Sequence, residues 1–184
     1  MDQIVADPQM LAKTASFLNS IGLEAAPASG AAGFLSAVQI HDGTLRYDPA
    51  RALPSDLLHE AAHLAILPER FRKLASDDLE PLFLHMCEEA ARHVEEDPDR
   101  ANDHFVRSVL QAGECEATAW AFAAGRAARL PDTVIITDDQ YEGEGADIRR
   151  GLALGAYLGI NGLVASGMCE SVRSYPSLCR WLQQ

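Results

Sequence analysis

The chain has 184 residues, 48% of them hydrophobic and 23% charged, which suits one globular domain with an ordinary core and excludes a disordered or fibrous protein. A net charge of −12 argues against a broad phosphate-binding surface, so no nucleic-acid partner is expected. Cys87, Cys115, Cys169 and Cys179 show no CxxC spacing, and the first residues lack a secretory pattern, so the expected location is cytoplasmic.

In chain order, Asp7 and Pro8 open a short amphipathic helix with Met10, Leu11, Phe17, Leu18 and Ile21 on its apolar face and Gly22 as its stop. After small residues over 25–33 come two strand-like runs, 34–40 and 44–47. The Asp42-Gly43 pair between them marks a β-hairpin. Ser55 or Asp56 can cap a helix over 57 to about 67, which Pro68 ends. Residues 69 to about 96 read as one or two helices with acidic outer faces, followed by a helix over 100–110. From Gly113 to about Leu130 an alanine-rich run predicts a long, closely packed core helix. Residues 133–137 suit a short strand or an extended loop, and 141–145 a mobile, glycine-rich connection that can serve as a lid. The remainder reads as helical up to Trp181. Within it, the uncharged stretch 151–169 carries Gly151, Gly155 and Gly159, but its glycines and Asn161 fit a buried, broken helix better than a membrane span. No membrane partner is expected, and the oligomeric state is left open.

The capped helix contains His59-Glu60-Ala61-Ala62-His63, the HExxH pattern. Residues four apart stand one turn from each other on one helical face, so the two imidazoles can bind one metal ion. Zinc is the default for two neutral imidazoles and a carboxylate, one ion per chain, with a coordination position left for water. Glu60 then faces that water as general base, taking a proton from it and returning the proton to the leaving amine. A third ligand is needed. Glu114 and Glu116 are the candidates, and being two positions apart they cannot both aim at the metal; the start of the helix beside Gly113 favours Glu114.

The string Leu57-Leu58-His59-Glu60-Ala61-Ala62-His63-Leu64, the later run Glu114-Cys115-Glu116-Ala117-Thr118-Ala119-Trp120-Ala121-Phe122-Ala123, and Pro131 together resemble zinc metallopeptidases of the gluzincin kind, most closely the ImmA/IrrE-type family. The resemblance covers the middle third of the chain. It implies a zincin-like fold with His59, His63 and Glu114 as zinc ligands and Glu60 as general base. Ala62 stands where many zincins have glycine, and Thr118 where membrane-bound zinc endopeptidases of the HtpX kind have aspartate. No helix-turn-helix module adjoins the motif, so a role in repressor cleavage is not carried over.

Other residues compete. His85, Glu89 and His93 form a second row at helical spacing, either a metal site or a solvated face. Tyr157, Tyr175, Arg173 and His104 are candidate donors to an oxyanion, while Cys115, Trp120 and Phe122 read as core residues. The expectation is therefore a single α+β domain over 1–184, mostly helical, with a small antiparallel hairpin or sheet before the motif helix. Its expected activity is zinc-dependent hydrolysis of a peptide or related amide in a peptide or protein substrate. The alternatives are a non-catalytic zinc-binding or protein-interaction module on the same scaffold, and a helical adaptor without metal.

Overall fold

A computed structural model describes residues 7–34 and 37–184, and within them the chain is an α+β protein. Asp7 caps α1 (Pro8–Ser20) by accepting from the N–H groups of Gln9 and Met10 at 2.8 and 3.4 Å. Strands β1 (Ala25–Pro27), β2 (Val38–His41) and β3 (Thr44–Tyr47) form one sheet in the order β1-β3-β2.

The hairpin stands where Asp42-Gly43 placed it, with Val38 opposite Tyr47 and His41 opposite Thr44. Asp42 and Gly43 both take positive φ, 48° and 73°, as a two-residue hairpin turn demands. Two corrections apply. Strand β2 starts at Val38 rather than Phe34, and residues 35 and 36 of the expected run lie outside the described residues. The sheet is mixed, because β1 pairs parallel to β3, Ala25 lying opposite Leu45. Val38 and Ile40 in β2 and Leu45 and Tyr47 in β3 alternate into the core, the period of a half-buried strand.

Helix α2 (Pro54–Ile66) carries the HExxH motif. Its N-cap is Leu53 with Pro54 at the first helical position, so Ser55 and Asp56 lie within the first turn and neither is the cap. Leu57, Leu58, Ala61, Ala62, Leu64 and Ala65 are fully buried, which makes α2 an interior helix contacted by α1, β2, β3 and the later helices. Its carboxyl end is held by Arg72, whose guanidinium donates to the carbonyls of Leu64, Leu67 and Gln183.

The acidic region divides into α3 (Glu69–Arg72), an irregular segment, and α4 (Glu80–Glu96); a 3₁₀ turn (Pro98–Asn102) and α5 (His104–Leu110) follow. Helix α6 (Glu114–Ala127) is the expected core helix, with Ala117 to Gly125 buried. It packs most extensively on α2 and on α9 (Leu158–Ala165). A Cβ added at Gly159 would fall 1.8 Å from the carbonyl oxygen of Cys115, so α9 and the first turn of α6 meet backbone to backbone. Trp120 Nε1 donates to the Trp181 carbonyl at 2.9 Å, and the Tyr175 hydroxyl to the Ala119 carbonyl at 2.7 Å. These two bonds tie the end of the chain to α6.

Residues 133–137 are not a strand. Asp132–Ile135 forms the one-turn helix α7, anchored by the Arg126–Asp132 ion pair and by Ile135 packed on Gly125, with no strand paired to it among the described residues. Helix α8 (Gly145–Ala153) and α9 complete the helical elements, and after Ala165 the chain proceeds in turns rather than as helix. Gly167 at φ 76° and a set of serine hydrogen bonds between Ser171 and Ser174 hold these turns. No helix among the described residues is long and apolar enough to cross a membrane.

Candidate metal centre

The four-residue repeat of α2 stacks His59 and His63 with their Nε2 atoms 3.0 Å apart and their rings nearly perpendicular. Glu114, in the first turn of α6, reaches across from the neighbouring helix. Its Oε1 lies 3.3 Å from His63 Nε2 and its Oε2 3.7 Å from His59 Nε2. Among the described residues this is the group of His, Cys, Asp and Glu side chains whose atoms converge closely enough to hold a metal ion.

These separations test whether a cation fits. Four ligands placed tetrahedrally about 2.0–2.1 Å from zinc lie about 3.3–3.4 Å from one another. The two Nε2 atoms are 3.0 Å apart, the two Glu114 oxygens lie 3.3 and 3.7 Å from one imidazole each, and one ligand atom from each residue falls within 4.8 Å of the others, a spacing that one cation can draw together. Without a cation, one Nε2 must donate to the other; with one, both can present lone pairs. Burial and the neighbouring His59 push His63 down to about 3, and burial lowers His59 against the opposing pull of Glu114. Both rings are therefore neutral at pH 7, the form that ligates metals. The buried Nδ1 of His63 has no hydrogen-bond partner among the described residues.

Glu60 is 5% exposed and lines the same cleft as the histidines. Burial, then the charges of Glu114, Asp56 and Asp77, push its carboxyl up to about 7. A buried carboxylate set among other acids is poorly stabilised on its own, and a cation nearby would relieve that cost. The cleft encloses about 860 Å³. His59, Glu60 and His63 of α2 and Glu114 of α6 line it, and Gly33, Phe34, Asp77, Asp78, Leu79, Glu80 and Phe83 complete the lining as a second wall.

The structure brings His59, Glu60, His63 and Glu114 together and turns Glu116 away. Glu116 packs instead against Gly162 of α9, where an added Cβ would fall 2.1 Å from its Oε1. The second histidine row does not assemble. Glu89 pairs with Arg70 at 2.7 Å and with His85 at 3.1 Å, while His93 pairs with Asp103 at 2.5 Å. None of Tyr157, Tyr175, Arg173 and His104 lines the cleft, and Tyr175 is committed to α6. Cys115 is half-buried, and Trp120 and Phe122 are core.

Residues 141–145 do not cover the site either. Tyr141 turns back onto α6, its hydroxyl 3.0 Å from Thr118 Oγ1. Sequence reasoning missed the second part of the lining, Asp77, Asp78, Leu79, Glu80 and Phe83. Its signal was the Ser76-Asp77-Asp78 cluster of turn formers, which breaks the helical reading where α4 has not yet begun. No family model, curated protein or solved structure matches the chain.

Proposed function

We propose that the chain is a zinc-dependent peptidase of the gluzincin kind, hydrolysing a peptide or related amide bond in its cleft. The observation that carries this reading is the convergence of His59 Nε2, His63 Nε2 and the Glu114 carboxylate, with one ligand atom from each within 4.8 Å of the others, beside a buried glutamate and an open cleft. Zinc, when bound, polarises a carbonyl and acidifies water.

The protein's own groups do the rest. His59 and His63 are neutral donors carried by α2, whose buried apolar residues hold the helix in the core while the two rings line the cleft. Glu114 supplies the anionic ligand from a second helix, so the site exists only where α2 and α6 pack. Glu60 is placed to take a proton at its carboxylate and return it to a leaving amine, the role that the HExxH spacing assigns to it. The non-catalytic alternative would need no cleft beside Glu60, whereas about 860 Å³ opens there, within the range of about 300–1,000 Å³ found at small-molecule sites. Four free cysteines, two of them exposed, support a reducing, cytoplasmic setting.

The test is elemental analysis of tag-free protein together with a peptide-cleavage assay. About one zinc per chain, lost in His59→Ala and Glu114→Ala, is the expected result. Glu60→Gln should keep the zinc and lose about 10²–10⁴-fold in cleavage rate. Zinc bound with no cleavage of any peptide would leave the binding module, and no zinc after reconstitution would leave the helical adaptor.

A further inference from the structure

The two walls of the cleft differ in a way the metal centre does not explain. Asp77, Asp78 and Glu80 line the wall facing α2 and α6, and no lysine or arginine lines the cleft. Some acids elsewhere on the molecule are paired with arginine, Glu89 with Arg70, Asp132 with Arg126 and Asp147 with Arg150. The described residues give Asp77, Asp78 and Glu80 no such ion pair. Asp77 accepts from the Gln39 side chain at 3.0 Å and Asp78 from the Glu80 N–H at 3.0 Å, bonds that orient the two carboxylates while leaving their charge uncompensated. All three acids are solvent-exposed, and like charges lining one cleft give it a potential that attracts cations, screened by salt.

The same wall is apolar between its charges. Leu79 and Phe83 are half-buried against the core, and Phe34 stands 87% exposed at the rim. The Phe34 ring, together with Leu79 and Phe83 in the lining, offers the cleft apolar surface that a ligand's apolar side chain can cover. Its placement is built in. A Cβ at Gly33 would fall 2.3 Å from the Val38 carbonyl oxygen, so the chain before Phe34 lies flush against β2.

We infer that this wall selects the substrate: a peptide carrying a lysine or arginine next to a large apolar residue, the cation received by Asp77, Asp78 and Glu80 and the apolar side chain by Phe34, Leu79 and Phe83. The inference rests on the peptidase reading for what happens to the peptide, but not for its binding. Charge complementarity fixes the choice of occupant. An acidic peptide would meet five carboxylates across the cleft, from Glu60, Asp77, Asp78, Glu80 and Glu114, and a purely polar one would leave the Phe34 and Phe83 rings in water.

Two measurements on the full chain separate this inference from the reading beneath it. The first is binding, by fluorescence anisotropy, of dye-labelled hexapeptides with Lys-Phe, Glu-Phe or Lys-Ser at the centre and Ala and Gly elsewhere, to Glu60→Gln protein with and without zinc. The Lys-Phe peptide should bind about tenfold tighter than either of the others, and more weakly as salt rises. A protein carrying Asp77→Asn, Asp78→Asn and Glu80→Gln should lose its discrimination between Lys-Phe and Glu-Phe while keeping its melting temperature and zinc content. Phe83→Ala should lose that between Lys-Phe and Lys-Ser. Equal binding of the three peptides, or no binding of any, would overturn the inference.

The second is digestion of a proteome-derived peptide mixture by the zinc-loaded protein, with cleavage sites read by mass spectrometry. Cuts clustered beside basic-apolar pairs support it, and cuts without that preference overturn it while leaving the peptidase. Selective binding with no cleavage would sustain the recognition wall and sink the peptidase.

Discussion

Helices α2 and α4 each display two histidines on one face, and only those of α2 converge with an acid into a group that could hold a metal ion. In α4, His85, Glu89 and His93 stand at successive four-residue steps, so the two histidines are about 12 Å apart along the axis and cannot share one ion. Each therefore turns to its nearest charge, His85 to Glu89 and His93 to Asp103. In α2 the histidines are one turn apart and the acid comes from another helix, so three atoms that could ligate a metal ion lie within 4.8 Å of one another. Helical spacing delivers two ligands; a third requires tertiary structure. Burial adds to the contrast. Burial holds the His63 ring neutral and lowers His59, whereas His85 is half exposed beside Arg70 and Glu89.

The largest test of this contrast is removal of a ligand histidine. His63→Ala should lower zinc affinity more than about a hundredfold, beyond what the loss of an outer hydrogen-bonding partner costs, whereas His85→Ala should leave stoichiometry at one zinc per chain. Equilibrium dialysis against a zinc indicator reads both, and a comparable loss in the two variants would erase the distinction drawn between the helices. Next comes the contribution from α6. Glu114→Ala should abolish tight binding and Glu116→Gln should preserve it, because Glu116 faces α9; an isothermal titration on each variant checks the pair.

A smaller effect concerns stability without metal. Burial raises the Glu60 carboxyl from its ordinary 4.5 to about 7, so the folded protein holds that proton more tightly than the unfolded chain does. The charge thus costs stability above pH 7, the cost shrinks as pH falls from 7 to 4.5, and below 4.5 it is gone. Metal-free Glu60→Gln should accordingly be more stable than the parent at pH 8, by roughly 3 kcal/mol at most, with the advantage vanishing near pH 4. Urea titrations at the two pH values measure it. A constant difference across that range would show that Glu60 is not a buried charge.

What was legible in the sequence follows from range. The motif helix, the hairpin and α6 are fixed by neighbours in the chain: a four-residue spacing, an Asp-Gly turn, a run of alanines after Gly113. Glu114 was legible as one of two acids at the start of α6, and the packing of α9 decided between them. The mixed sheet was not, because β1 is Ala25-Ala26-Pro27, with no β-branched residue, and exists only because β3 offers it an edge. The run Thr133-Val134-Ile135-Ile136-Thr137 has strand composition but no strand to pair with, and Pro131 and the Asp132 ion pair wind it into a helical turn. The recognition wall was illegible for the same reason. Residues 75–77 are placed by bonds from Gly43 to the Ala75 carbonyl and from Asp77 to the Ile40 carbonyl, contacts more than thirty positions apart.

The backbone contact between Gly159 and Cys115 reverses an ordinary rule of helix design. Replacing glycine by alanine inside a helix usually stabilises it, by up to about 1 kcal/mol. Here the added methyl has no space, and the backbone it would strike belongs to the residue that follows Glu114. Gly159→Ala should therefore push the first turn of α6 off α9, weakening zinc binding and lowering the melting temperature together, which calorimetry with and without zinc would reveal. A residue with no side chain, forty-five positions downstream of Glu114, lets the turn that carries this carboxylate lie against α9.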